Sequence, residues 1–199
     1  NDNFETLLTT NFKESVSPLF FSFDNTELFV SSNRGRDKSA IYKFDLERGK
    51  ETELIFEHAE VDVYNLIKSK KRKKITGVSY YTDKNKYEFF DKWREELQQN
   101  LENQLPGLEV RLTDLNKDET KAIIVTFSDK SRGTYYYYDI NKNILTWLAD
   151  LSPWLKTEHM AEMIPIKYQS RDGLTINGYL TLPVGVTLDS TTINNNKKI

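Results

Sequence analysis

Apolar and polar positions alternate with period two along most of this chain, and clusters of Asn, Asp, Gly, Lys and Ser interrupt the alternation at short intervals. That pattern predicts strands joined by turns. In the first stretch the strands are Leu19–Phe23, Glu27–Ser32, Ala40–Asp45 and one near Thr52–Ile55, separated by Asp24-Asn25, by Asn33-Arg-Gly-Arg-Asp-Lys38 and by Glu47-Arg-Gly49. The same order returns downstream as Val110–Asp114, Ala122–Phe127, Tyr135–Asp139 and Ile144–Leu148. Phe44-Asp45-Leu46 and Tyr138-Asp139-Ile140 match at an offset of 94 residues. That is two units of about 47, and four meandering strands in such a unit make one propeller blade. One further blade is expected between the two copies.

The middle unit offers Val61–Ile67, Lys74–Tyr81 and, as a third strand, Tyr87–Phe90, and then the period changes. From Asp91 to Leu105 the apolar residues Trp93, Leu97, Leu101 and Leu105 recur every four positions, Asp91 is an N-cap residue, and Pro106-Gly107 follows. This predicts a helix over about 91–105, inserted in a blade, with its apolar stripe against its own domain. Residues 1–150 therefore read as a partial β-propeller. Residues 151–163 have no strand period and read as a linker. Ile164, Ile166 and Tyr168 before Asp172-Gly173, and Leu174, Ile176, Leu180 and Leu182 after it, predict a hairpin within 164–186. The Thr-, Asn- and Lys-rich residues 187–199 carry no apolar pattern and are expected to fray.

Composition narrows the function only by exclusion. Lys+Arg 28 against Asp+Glu 30 leaves a formal charge of -2, so no global field draws the chain toward nucleic acid or an anionic membrane. The absence of cysteine removes disulfides, thiolate catalysis and cysteine-ligated metal. Tyr 11 and Phe 11 favour strands.

Several phrases, in this order, resemble the prolyl oligopeptidase family, in its acylaminoacyl-peptidase and dipeptidyl-peptidase-like group. They are Lys73-Lys-Ile-Thr-Gly-Val-Ser-Tyr-Tyr-Thr-Asp83, Leu105-Pro-Gly-Leu-Glu-Val-Arg111, Gly133-Thr-Tyr-Tyr-Tyr-Tyr-Asp139, Pro153-Trp-Leu155 and the Arg171-Asp-Gly173 hairpin through Tyr179-Leu-Thr-Leu-Pro183. The resemblance spans roughly residues 15 to 186. It implies an all-β fold with one inserted helix: about three four-stranded blades of a propeller, plus the hairpin that leads into an α/β-hydrolase domain. It also implies a serine peptidase in which the propeller gates and positions short peptides. The partners implied are a peptide substrate and the protein's own hydrolase domain; no cofactor, nucleic acid or membrane is implied. The chain contains no Gly-x-Ser-x-Gly, the motif that presents a nucleophilic serine on a strained turn. By itself it is expected to be inactive. Three blades do not close a ring, so self-association through uncovered blade faces is expected as well.

Arg34 and Arg36, in the loop between the second and third strands, are the candidate substrate contacts, because a guanidinium can hold a peptide carboxylate through two parallel hydrogen bonds. An ordinary polar turn is the alternative. Lys68-Ser-Lys-Lys-Arg-Lys-Lys74 is the strongest charge run, read either as a polyanion contact or as a solvated, edge-protecting connection between strands. His58 and His159 have no second histidine or carboxylate at a metal-ligand spacing such as His-x-x-x-His, and His159, beside Glu158, reads as part of a solvated linker, not as a general base. A stand-alone propeller-type protein-binding module is the second reading of the whole chain.

Overall fold

The computed structural model describes residues 5–186, so the expected frayed tail at 187–199 lies outside the described residues. The described residues divide into two compact units, 5–104 with 117–119, and 105–116 with 120–186.

In the first unit, β1 (Val16–Phe21), β2 (Leu28–Ser32), β3 (Ala40–Asp45) and β4 (Lys50–Phe56) form one antiparallel meander in sequence order. β2 is buried along its whole length because both of its faces are covered. Leu28 and Val30 pack with Phe44 and the partly buried Leu8, Val16 and Tyr42. The Phe29 ring stacks on Phe20 at 5.0 Å. The β1–β2 turn is closed by Asp24, whose carboxylate accepts hydrogen bonds from the Ser22 and Thr26 hydroxyls and the Thr26 N–H. Those donors hold its pKa down to about 2.

A second sheet in this unit has three strands, β5 (Asn65–Ser69), β6 (Lys74–Tyr81) and β7 (Asn85–Phe89), in sequence order. Where a fourth strand would follow, the chain forms helix α1 (Lys92–Gln104) instead. Leu97 and Leu101 are buried, as the four-residue spacing requires. β6 and β7 approach each other closely at Gly77: a Cβ there would lie 2.5 Å from the Glu88 carbonyl oxygen.

The strand expected at Val61–Ile67 begins only at Asn65. Its first residues are used in bonds to the preceding meander. Val63 N–H donates to the Ser39 carbonyl (2.9 Å), Asp62 Oδ1 accepts from Ser39 N–H (2.7 Å), and Ser31 Oγ donates to the Val63 carbonyl (2.9 Å). Val63 then joins Ile41 and Val78 in a fully buried cluster, with Leu19, Phe56 and Tyr80 around it. Each such side chain contributes about 1.5–3 kcal/mol relative to exposure.

In the second unit, β8 (Glu109–Leu115), β9 (Lys121–Ser128), β10 (Ser131–Asp139) and β11 (Ile144–Asp150) form another four-stranded meander. Its core holds Val110, Ala122, Ile124, Val125 and Tyr138. The tyrosine run lies within β10: Tyr135, Tyr136 and Tyr137 are half-buried, and Tyr138 is buried with its hydroxyl donating to Asn143 Oδ1 at 2.5 Å. Gly133 has φ +133, and a Cβ there would lie 2.8 Å from the Thr126 carbonyl oxygen. After a short 3-10 turn at Thr157–His159, β12 (Met163–Gln169) and β13 (Thr175–Thr181) form a two-stranded hairpin with Ile164 opposite Leu180 and Gln169 opposite Thr175. Its turn is wider than Asp172-Gly173 alone, since Gly173 N–H donates to the Ser170 carbonyl and Ser170 N–H to the Leu174 carbonyl. The fold is all-β with one inserted helix, built of blade-like antiparallel meanders.

Candidate functional site

Two charged assemblies stand out in the first unit. The β2–β3 loop carries Arg34 and Arg36, and its tip, Gly35, has φ +66 and open space around it. Arg34 turns back onto the sheet. One guanidinium nitrogen donates to Glu51 Oε2 (3.0 Å) and to the Gly49 carbonyl (3.3 Å). Glu51 also accepts from Ser32 Oγ at 2.6 Å, so serine, glutamate and arginine form one rung across β2 and β4. Arg36 reaches other partners, donating to the Tyr42 hydroxyl (2.7 Å) and pairing with Glu57. Burial opposes its charge, but the hydrogen bonds to Glu57 and Tyr42 more than offset that and raise its pKa. Its Nε is buried and has no hydrogen-bond partner. The two arginines are thus committed to separate carboxylates. Arg34 uses one guanidinium nitrogen for both of its bonds, whereas Arg36 engages both terminal nitrogens, so a ligand carboxylate meets a more committed guanidinium at Arg36 than at Arg34.

The other assembly sits at the root of α1. Asp91 caps the helix, accepting from Arg94 N–H at 3.0 Å, and the same carboxylate pairs with Arg72 at 2.6 Å and with Lys74. Burial raises the pKa of this carboxyl, but the Lys74 and Arg72 hydrogen bonds and the helix N–H outweigh it and bring the pKa down to about 2. Arg72 also pairs with Glu119 (3.1 Å), which accepts from Ser69 Oγ as well, and its guanidinium lies 4.4 Å from the Trp93 ring centroid. One turn along the helix, Arg94 is 4% exposed. Two of its nitrogens donate to Gln98 Oε1, each at 3.1 Å, and it lies over the Phe89 ring. Burial lowers its pKa to about 10.

The basic run is therefore more than a solvated connection. Arg72 and Lys74 neutralise acids, Lys71 donates to the Asp118 carbonyl at 2.8 Å, and Lys68 lies 4.1 Å from the Phe20 ring centroid. Sequence reasoning found Asp91 as a cap but missed Glu119 as its neighbour in this network. The two acids belong to different turns, and Arg72 and Glu119 are 47 positions apart. His58 Nδ1 accepts from Glu60 N–H (3.1 Å) and its ring lies against Tyr80, while His159 lies in the 3-10 turn of the second unit. Among the described residues no three His, Cys, Asp or Glu side chains are grouped to hold a metal ion. The chemistry available at these sites is recognition through charge and hydrogen bonds.

No family profile matches the chain. Over 180 residues, 90% of this chain, it is 29% identical to dipeptidyl aminopeptidase BIII of Pseudoxanthomonas mexicana. The matched stretch is 25% of that protein, so the chain spans about a quarter of the relative's length. The similarity supports a relationship to part of a peptidase and extends through the meanders, the helix and the hairpin alike.

Proposed function

We propose that this chain is the late propeller portion of a serine peptidase of the prolyl oligopeptidase family, and that it acts in admitting and positioning short peptides. The observation that carries the reading is a similarity to a dipeptidyl aminopeptidase that runs through 90% of the chain, meanders and hairpin included. Hairpin β12–β13 is read as the first element of the α/β-hydrolase domain. The nucleophilic serine, its histidine and its aspartate then lie outside this chain, and the parent reaction is amide hydrolysis through an acyl-enzyme. Arg34 and Arg36 are the residues proposed to meet the peptide, through guanidinium N–H groups that their pairing with Glu51 and Glu57 leaves over.

The test is to express the full open reading frame beside the 199-residue chain and expose both to a fluorophosphonate probe. Labelling of the long product alone, at a serine in Gly-x-Ser-x-Gly, is the expected result. A long product that is unlabelled and inert on dipeptidyl substrates would replace this reading with that of a propeller-type binding module. In the active long form, Arg34→Ala and Arg36→Ala are expected to raise KM several-fold with kcat little changed, the signature of lost uniform binding.

A further inference from the structure

Among the described residues, Lys68 meets no acid. Much of its run is engaged: Arg72 pairs with Asp91 and Glu119, Lys74 with Asp91, and Lys71 donates to the Asp118 carbonyl. On β3, Lys43 bridges Glu53 and Glu27 at 2.9 Å each, and those hydrogen bonds raise its pKa. Lys68 has the opposite surroundings. Its ammonium lies 4.1 Å from the Phe20 ring centroid, and desolvation, then the like charge of Lys70, lower its pKa. Lys70 and Lys73, in the turn that follows, are exposed and also meet no acid among the described residues. The backbone prepares this seat. β1 and β5 are edge strands, and each has a register shift at the residue concerned, between Pro18 and Phe20 in β1 and between Ile67 and Lys68 in β5. Such irregularities re-aim a side chain out of the regular alternation, and the two side chains that meet across the sheets are the ones at the shifts. The ring is fixed in turn, stacked on Phe29 at 5.0 Å and edge-on to Phe23 at 5.9 Å.

We propose that Lys68, seated on Phe20 with Lys70 two positions on, is a binding site for a carboxylate of the peptide substrate. An ammonium carries three N–H donors, and its strongest bonds are to oxygen anions. An aromatic face attracts the charge through its quadrupole and leaves donors over for a ligand. Partial loss of water around the charge strengthens its attraction to a counter-ion that arrives from outside. A single carboxylate fits this place better than a nucleic acid does. Lys71, Arg72 and Lys74 are held by Asp118, Asp91 and Glu119, so the run offers isolated ammonium groups and not the continuous positive track that a phosphate backbone follows. The site is distinct from the arginines of the β2–β3 loop, because Phe20 pairs with Phe29, toward the other end of β2. That the ligand is a peptide rests on the peptidase reading; that the site takes a carboxylate does not.

The test reads binding, so that it stands apart from hydrolysis. The product of the full open reading frame, with any reactive serine first blocked by the fluorophosphonate, is titrated calorimetrically with the peptide Ala-Phe-Glu-Glu, with Ala-Phe-Gln-Gln, and with the amidated form of each. A peptide that keeps the recognised carboxylate is expected to bind about fivefold tighter than one that lacks it, and the difference should shrink in 0.5 M NaCl. Whether glutamine or the amide costs the affinity tells whether the carboxylate is a side chain or the chain end. Lys68→Gln should abolish the difference, Lys68→Arg should keep most of it, and Lys84→Gln, at an exposed lysine of the β6–β7 turn, should leave it unchanged. Thermal melts of Lys68→Gln, expected to match the parent, separate lost binding from lost folding. Equal affinity for all four peptides, a preference that survives Lys68→Gln, or an equal loss from Lys84→Gln would each overturn the proposal. So would a single-stranded oligonucleotide that binds through Lys68 more tightly than the acidic peptide. A product inert toward dipeptidyl substrates that still prefers the carboxylate through Lys68 would overturn the peptidase reading and leave the site standing.

Discussion

The meander β1–β4 and the sheet β5–β7 with α1 begin from similar strand patterns but are held together by different means. The first closes with four strands around apolar side chains, and its polar groups lie mostly in turns and on the rim. The second gives up its fourth strand. In the strand's place stands a helix whose first turn rests on Asp91, Arg72 and Lys74, with Glu119 beyond. A strand added to a sheet satisfies its backbone through the ladder, whereas a helix docked at that position brings unpaired N–H groups at its start. A capping carboxylate answers them, and a buried carboxylate in turn needs cations. The charge cluster follows from the inserted helix.

The comparison can be broken most directly at Asp91. Asp91→Ala removes the cap and one of the two acids that neutralise Arg72, and it is expected to cost about 3 kcal/mol. Val30→Ala in the first meander is expected to cost about 2 kcal/mol by leaving a cavity. Urea denaturation at 0.05 and 1 M NaCl distinguishes the two: the Asp91→Ala penalty should shrink in salt, and the Val30→Ala penalty should not. Similar salt responses would mean that charge does not set the helix root apart.

Next in size is Gly77→Ala. The added Cβ would meet the Glu88 carbonyl oxygen at 2.5 Å, so β6 and β7 must part. The expected loss is about 2 kcal/mol. Gly35→Ala, where nothing lies within 4 Å but φ is +66, should cost less, of order 1 kcal/mol from backbone strain alone. Equal losses at the two glycines would show that the close approach of β6 and β7 is not what constrains Gly77.

The smallest expected effect is acid sensitivity. The folded-state pKa of Asp91 lies near 2, below the ordinary 3.8. Its stabilising contribution is therefore fully present above about pH 4 and is lost as the pH falls toward 2. Asp91→Asn should flatten the stability profile across that window by an amount on the order of 1 kcal/mol, after allowance for the solvent-exposed Lys74. Thermal melts from pH 5 to pH 2 read it, and a profile unchanged by the substitution would assign the acid transition to other carboxylates.

Much of the architecture was legible in the residues. β3 and β6 fall where the alternation puts them, and α1 agrees with its expected span to one residue at each end, because period and capping are local properties. The segment Val61–Tyr64 was misread for the same reason: it is apolar and alternating, but its hydrogen bonds go to Ser31 of β2 and to Ser39 just before β3. Of the candidate contacts, Arg34 and Arg36 were visible as a basic loop. Their commitment to Glu51 and Glu57 was not, since those acids lie on and just beyond the neighbouring strand β4.

By itself the sequence determined the strand order, the change from sheet to helix at Asp91 and the hairpin around Asp172-Gly173, all fixed by side-chain period and turn chemistry over a few neighbouring residues. Only the tertiary structure decided which charges are neutralised and why Gly77 must be glycine. Each of these depends on atoms that chain separation hides and folding brings within a few ångströms.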